Sequence, residues 1–174
     1  TGGSASNRLR WLDRAGRPLG EVGQPANDLN LALSPDGRRI AVRRIDSQTA
    51  NRDIWVLEPA RGTATRFTFD AANENMPVWS PDGSRIAFNS NRGGGSADLY
   101  WKLASGAGAE ELLLSTGGNK FFTDWSADGR FIAYFELDPK SQFDLWVLPA
   151  SGDRKPVLFL QTSFNEQMAR FSPD

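Results

Sequence analysis

Trp79-Ser80-Pro81-Asp82-Gly83-Ser84-Arg85-Ile86-Ala87-Phe88 is the stretch that decides the fold. An aromatic residue closes one apolar segment, a tetrad of turn formers follows, and a second segment rich in β-branched and aromatic residues begins two residues later. Ser stands at the first turn position, Pro presets φ at the second, Asp is third, and Gly tolerates the positive φ of the fourth. The stretch therefore reads as a tight hairpin between two antiparallel strands.

The tetrad recurs on both sides as Ser34-Pro35-Asp36-Gly37, Ser126-Ala127-Asp128-Gly129 and Ser172-Pro173-Asp174, at steps of 46 residues. A period in this range with several short strands per unit belongs to propeller blades, and the strand chemistry argues against helical repeats. Strand A ends at Leu33, Trp79, Trp125 and Phe171, just before each Ser. Strand B contains Ile40-Ala41-Val42, Ile86-Ala87-Phe88 and Ile132-Ala133-Tyr134. Strand C opens with Asp53-Ile54-Trp55, Asp98-Leu99-Tyr100 and Asp144-Leu145-Trp146, and strand D covers 65–69, 111–114 and 157–160. Gly-rich or polar connections separate the strands, as antiparallel meanders require.

Upstream, Leu9-Arg10-Trp11-Leu12-Asp13 matches strand C, and 18–22 matches strand D after an Ala15-Gly16 turn. Downstream, 168–171 supplies a strand A. The expectation is an all-β chain, a β-propeller fragment of four-stranded antiparallel blades made of two strands, three full blades and one strand. Residues 1–7 form a linker or disordered start and 8–174 a partial propeller. Within it, 8–23 hold the C and D strands of one blade, 29–69, 75–115 and 121–161 are full blades, and 168–174 is strand A of a further blade. The chain stops inside a hairpin turn at Asp174, where no natural domain is expected to end.

Composition fits a folded interior: 39% of residues are hydrophobic, with six Trp and eleven Phe among the 174. Twenty Lys and Arg against twenty-one Asp and Glu give a net charge of −1, with no basic block to follow a run of phosphates, so nucleic acid is excluded as an expected partner. Apolar runs such as 157–160 are too short to span a bilayer, and 1–6 lack the features of a signal peptide, so no membrane contact is expected of this segment. The absence of Cys and His removes disulfides, thiolate nucleophiles, zinc sites built on those residues and any triad with a His base. No catalytic residue, cofactor or metal is expected.

These residues resemble the WD40-like propeller repeat of the TolB type, whose units carry an aromatic before Ser-Pro-Asp-Gly, then Ile-Ala-Phe, then Asp-Ile-Trp or Asp-Leu-Tyr. The resemblance covers residues 8–174 and departs from the pattern at Ala127, which stands in place of Pro. The segments Trp11-Leu12-Asp13-Arg14-Ala15-Gly16 and Asn51-Arg52-Asp53-Ile54-Trp55 are similar to the propeller found C-terminal to bacterial serine/threonine protein kinases, notably in acidobacteria. That likeness implies a non-catalytic region beyond a membrane span, on the extracytoplasmic side. The chain itself has no Gly-rich loop followed by a strand Lys, no His-Arg-Asp and no Asp-Phe-Gly.

Several features invite a site reading. Gly93-Gly94-Gly95 lacks the Lys-Ser or Lys-Thr ending of a phosphate loop and reads as a connection between strands B and C. The turn aspartates Asp36, Asp82 and Asp128 come one per blade, which favours turn stabilisation over metal binding. Hydrogen bonding within the blade accounts for Asp53, Asp98 and Asp144, and packing between blades for Trp55, Trp79, Tyr100, Trp125 and Trp146. Seven residues before each Ser stand Asn27, Asn73, Asn119 and Asn165. A turn built on left-handed backbone is the first reading of these amides. Together with Asp28, Glu74, Lys120 and Glu166, which follow directly, they also form the candidate binding rim.

The function expected is that of an interaction or sensor module presenting its loops to a protein, peptide or cell-wall ligand. Self-association through open blade edges is the alternative to an open curved array. Two rival readings are the gating propeller of a prolyl oligopeptidase-like hydrolase, whose Gly-x-Ser-x-Gly elbow this chain lacks, and a periplasmic TolB-like scaffold.

Overall fold

The triads Ile40-Ala41-Val42, Ile86-Ala87-Phe88 and Ile132-Ala133-Tyr134 show how the blades stack. Side chains alternate across a strand. In the second triad Ile86 and Phe88 accordingly pack toward the blade before, while the small Ala87 packs toward the blade after. A computed structural model of the chain describes residues 6–172. Fourteen strands in it form one two-stranded and three four-stranded antiparallel sheets.

β1 (Asn7–Leu12) pairs with β2 (Pro18–Ala26). The first full blade runs β3 (Asp28–Leu33), β4 (Ile40–Ile45), β5 (Arg52–Glu58) and β6 (Thr63–Arg66). The second contains β7 (Glu74–Trp79), β8 (Arg85–Ser90), β9 (Asp98–Leu103) and β10 (Glu111–Leu114). The third contains β11 (Lys120–Trp125), β12 (Phe131–Asp138), β13 (Gln142–Pro149) and β14 (Val157–Leu160). Each blade is a meander in chain order, strands A to D. The A strands β3, β7 and β11 adjoin one another from blade to blade and therefore form the inner edge of the array. Among the described residues no helix is long and apolar enough to cross a membrane.

The core lies in the seams between sheets. Val22 of β2 meets Ile40, Val42 and Leu57. Ile54, Val56 and Phe67 meet Trp79, Ile86, Phe88 and Tyr100. Leu99, Trp101 and Leu113 meet Phe122, Trp125, Ile132, Tyr134 and Leu148. Each such side chain contributes about 1.5–3 kcal/mol when fully buried, so the seams carry most of the stability. The Trp101 and Trp125 rings stack across the last seam at 5.8 Å.

Three tetrads share one hydrogen-bond design. Ser34, Ser80 and Ser126 donate through Oγ to Oδ1 of Asp36, Asp82 and Asp128 at 2.6, 2.6 and 2.7 Å. The same hydroxyls accept from the backbone N–H of Arg39, Arg85 and Phe131, each at 2.9 Å. Gly37, Gly83 and Gly129 close the turns at φ of 69°, 69° and 75°, where a side chain is strained. The Ser hydroxyls hold all three carboxyls below their ordinary value, Asp82 and Asp128 down to about 2. Pro35 and Pro81 each lie against the turn glycine of the following blade.

Each A strand is bulged. The ladder with strand B slips between Leu29 and Ala32, between Asn75 and Val78, and between Phe122 and Asp124. Asn30 and Met76 sit in the left-handed region at these bulges, with φ of 47° and 50°. Met168 repeats the conformation at 58°, 92 residues after Met76. The expected A strand of a further blade thus keeps the backbone kink, yet 168–172 form no ladder among the described residues. Instead the Phe171 N–H donates to Asp124 Oδ2 at 2.8 Å.

Several boundaries differ from expectation: β2 runs on to Ala26, and β3, β7 and β11 begin at Asp28, Glu74 and Lys120, one residue before the expected blades. The D strand expected over 65–69 pairs over Thr63–Arg66 instead, because Phe67 turns into the seam and its N–H binds the Ile54 carbonyl. Asn7 of the expected linker opens β1. Residues 1–5 of that linker, with Pro173 and Asp174 of the last tetrad, lie outside the described residues.

Candidate functional site

In a four-strand meander the B–C loops and the D–A connections lie at the same end of the blade. Here they are tied together there. Lys120 donates its N–H to the Ala97 carbonyl, and Ala97 donates in turn to Asn119 Oδ1 at 2.8 Å. Asn51 Nδ2 reaches the Asp70 carbonyl, and the Glu166 N–H binds Phe143. This loop end is where the eight expected rim residues fall.

The four asparagines are partly or fully exposed, but none of them adopts the left-handed backbone that motivated the turn reading. Two of them lengthen the A–B ladder by one step, with Asn27 accepting from the Ile45 N–H and Asn119 from the Leu137 N–H. The Asn73 N–H donates to Asn91 Oδ1.

The charged partners behave differently. Asp28 is 5% exposed, and Glu74 and Lys120 are 0% exposed, so these three do not present charge to the surface. As the first residues of β3, β7 and β11, they face strand B across the ladder and the C strand of the preceding blade across the seam. Asp28 receives two hydrogen bonds from Arg44, at 2.6 and 2.8 Å. Glu74 accepts from Ser90 Oγ at 2.8 Å and from Arg92 at 3.2 Å. Lys120 Nζ donates to the Gly118 carbonyl at 2.6 Å and lies 3.5 Å from Asp98 and 3.6 Å from Glu136. Glu166 is half-buried and accepts from the Thr162 hydroxyl.

Burial pushes the Glu74 carboxyl up to about 7, with the nearby Asp53 charge adding to the shift and Ser90 and Arg92 opposing it. The C-strand aspartates are paired inside the structure. Asp53 bonds to Arg66 at 2.8 Å, Asp98 faces Lys120, and Asp144 accepts from Ser141 and Gln161 at 2.7 and 2.8 Å.

Two of the recesses among the described residues bear on the site. Along the inner edge, Asn30, Met76, Phe122, Asp124 and Arg170 line a groove between successive A strands. Between the second and third blades a cleft of 810 Å³ is lined by Tyr134, Glu136, Asp138, Asp144 and Trp146. Sequence reasoning assigned Trp146 to packing, Asp144 to hydrogen bonding and Tyr134 to strand B, and passed over Glu136 and Asp138. The signal that finds the cleft is the set of residue types at equivalent positions of the repeat, compared blade by blade.

The family model described as the TolB beta propeller domain matches residues 23–174. A comparison with curated proteins finds no match. Among solved structures the chain resembles TolB from Acinetobacter baumannii, with a TM-score of 0.73 and 23% identity over 88% of this chain and 37% of that one. It also resembles a putative TolB from Agrobacterium tumefaciens, with a TM-score of 0.70 and 21% identity over 87% of this chain and 54% of the other. A prolyl endopeptidase aligns with a TM-score of 0.64 and 15% identity over 86% of this chain and 25% of its own length. The chain therefore spans roughly a third to a half of the TolB chains it resembles. At these identities the solved structures speak for the fold.

Proposed function

Because the chain belongs to the TolB beta propeller domain family, we propose that it is a non-catalytic binding module that takes a protein or peptide at its loop end, beside the inner-edge groove. The observation that carries this reading is the rim itself. Partly exposed Asn27, Asn73 and Asn119 and exposed Asn165 recur at the same place in the repeat, and the ladders hold the backbone of Asn27 and Asn119 while Asn91 holds that of Asn73. Amide side chains on a fixed scaffold supply donors and acceptors without the desolvation cost of a charge, which suits a peptide backbone as ligand. A chain without His or Cys has no imidazole base and no thiolate to offer a bound substrate. The likeness of its linking segments to kinase-attached propellers supports the finer reading of an extracytoplasmic sensor region.

Selection of a displayed random-peptide library against the chain, followed by hydrogen-exchange mapping of the enriched peptides, tests the proposal. Protection of the D–A connections and B–C loops is the expected result. Enriched peptides that protect only the outer strands β6, β10 and β14 would overturn it. A second reading, as the propeller of a prolyl oligopeptidase-like hydrolase, is favoured by the prolyl endopeptidase alignment. A Gly-x-Ser-x-Gly elbow with a downstream His elsewhere in the same protein decides for that reading.

A further inference from the structure

The aromatic residue two places after each C-strand aspartate is Trp55, Tyr100 or Trp146. In the first two blades an arginine of the chain covers it. The Arg44 guanidinium carbon lies 4.5 Å from the Trp55 ring centre while that side chain holds Asp28. The Arg92 guanidinium carbon lies 4.5 Å from the Tyr100 centre while that side chain holds Glu74 and Glu110. A planar guanidinium stacks on an aromatic face and still offers its edge to carboxylates, which an ammonium does less well.

The third blade lacks this arginine. By the 46-residue spacing Arg44 aligns with Glu136, and Arg92 aligns with Asp138. Acidic residues thus occupy both positions from which the earlier blades supply the cation. Among the described residues no cation stacks on Trp146, and the cleft lining contains three carboxylates and no Lys or Arg. Lys120 partly offsets Glu136 from behind and pairs with Asp98 as well.

A second, independent observation points to a missing donor. Tyr134 is 0% exposed and Asp144 is 1% exposed. Both line the cleft, and Tyr134 Oη and Asp144 Oδ1 have no hydrogen-bond partner. Buried polar atoms left unpaired are uncommon, since each costs about 1–3 kcal/mol.

We propose that the cleft between the second and third blades binds the guanidinium of an arginine from outside this chain, stacked on Trp146 and held by Glu136, Asp138 and Asp144. The inference rests on the binding-module reading only for its expectation that the arginine belongs to a peptide.

The test is an NMR titration of the full chain with three probes: free arginine, Gly-Gly-Arg-Gly-Gly, and the same peptide with citrulline, which keeps the shape and loses the charge. The expected result is saturable shifts of the Trp146 indole and Tyr134 ring signals by both arginine probes, with a Kd on the order of a millimolar, and at least tenfold weaker binding of citrulline. A tighter peptide identifies a peptide source, and tighter free arginine identifies the amino acid. Equal shifts by arginine and citrulline peptides, or no saturable shift at these two residues, overturn the proposal. The variant Asp138→Arg, which installs the counterpart of Arg92, is expected to abolish the arginine shifts; the citrulline control decides the matter without any variant. Failure here leaves the peptide selection at the loop end unaffected, and failure there leaves this titration intact.

Discussion

Lys120 Nζ lies 3.5 Å from Asp98 Oδ1 across the seam between the second and third blades, at the place where the preceding seam brings Glu74 toward Asp53. The two seams share a backbone design and differ in the sign of one buried charge. Because Lys120 is wholly buried, its removal strands Asp98 and Glu136. Lys120→Met is expected to lower unfolding free energy by about 3 kcal/mol, as for other broken buried pairs. Urea denaturation measures this, and a loss below about 1 kcal/mol would mean that water already screens the pair.

Glu74 makes stability depend on pH. Its folded value of about 7 stands above the ordinary 4.5, so the folded state holds the proton more tightly than the unfolded one. The contribution is complete below pH 4.5 and is lost as pH rises through 7. Relative to wild type, Glu74→Gln is therefore expected to gain about 3 kcal/mol between pH 4.5 and pH 8. Denaturation midpoints of both proteins across that range give the slope, and parallel curves would show that Glu74 titrates normally.

Arg92 holds Glu74 and Glu110 and covers Tyr100 at once. Arg92→Met keeps the stem against the ring and removes the guanidinium. The expected cost is about 2–4 kcal/mol at pH 8. At pH 5, where Glu74 is largely protonated, the cost should be smaller. A pH-independent loss would place the role of Arg92 in its contacts with Glu110 and Tyr100 and not in its bond to Glu74.

Ala127 stands where the two other complete turns carry Pro35 and Pro81. The third turn has the same hydrogen bonds as those two, so its backbone already suits proline. Ala127→Pro is expected to stabilise by about 0.4–1 kcal/mol through the unfolded chain. Calorimetry should show a rise in Tm of about 1–4 °C, and a fall would show that the third turn differs in φ.

The turns and strands were legible because their residues act locally. Ser80, Asp82 and Gly83 complete their bonding within six residues, and Ile86-Ala87-Phe88 declares its two faces by size alone. The rim was half legible. Asn27 and Asn119 stand at the loop end as their spacing suggested, but Asp28, Glu74 and Lys120 belong to residue types that usually face water. They are buried because Arg44, Arg92 and Asp98, 16 to 22 residues away in the chain, meet them in space. The cleft at Trp146 was not legible from any single blade, since the first blade covers its aromatic from position 44 and the second from position 92, and the third has Glu136 and Asp138 at the two equivalent places.

Three near-copies of one blade raise a problem of order during folding, since any apolar face could dock on any other. The seam charges distinguish the neighbours. If the third blade docked directly on the first, Lys120 would meet Asp53, which already holds Arg66, and two cations would compete for one buried carboxylate. If the second blade docked on a copy of itself, Glu74 would face Asp98 with no cation of the Lys120 kind between them. The inverted charge at Lys120 thus works as an address, since the sequence-adjacent pairing brings it to Asp98, a carboxylate that holds no cation of its own blade.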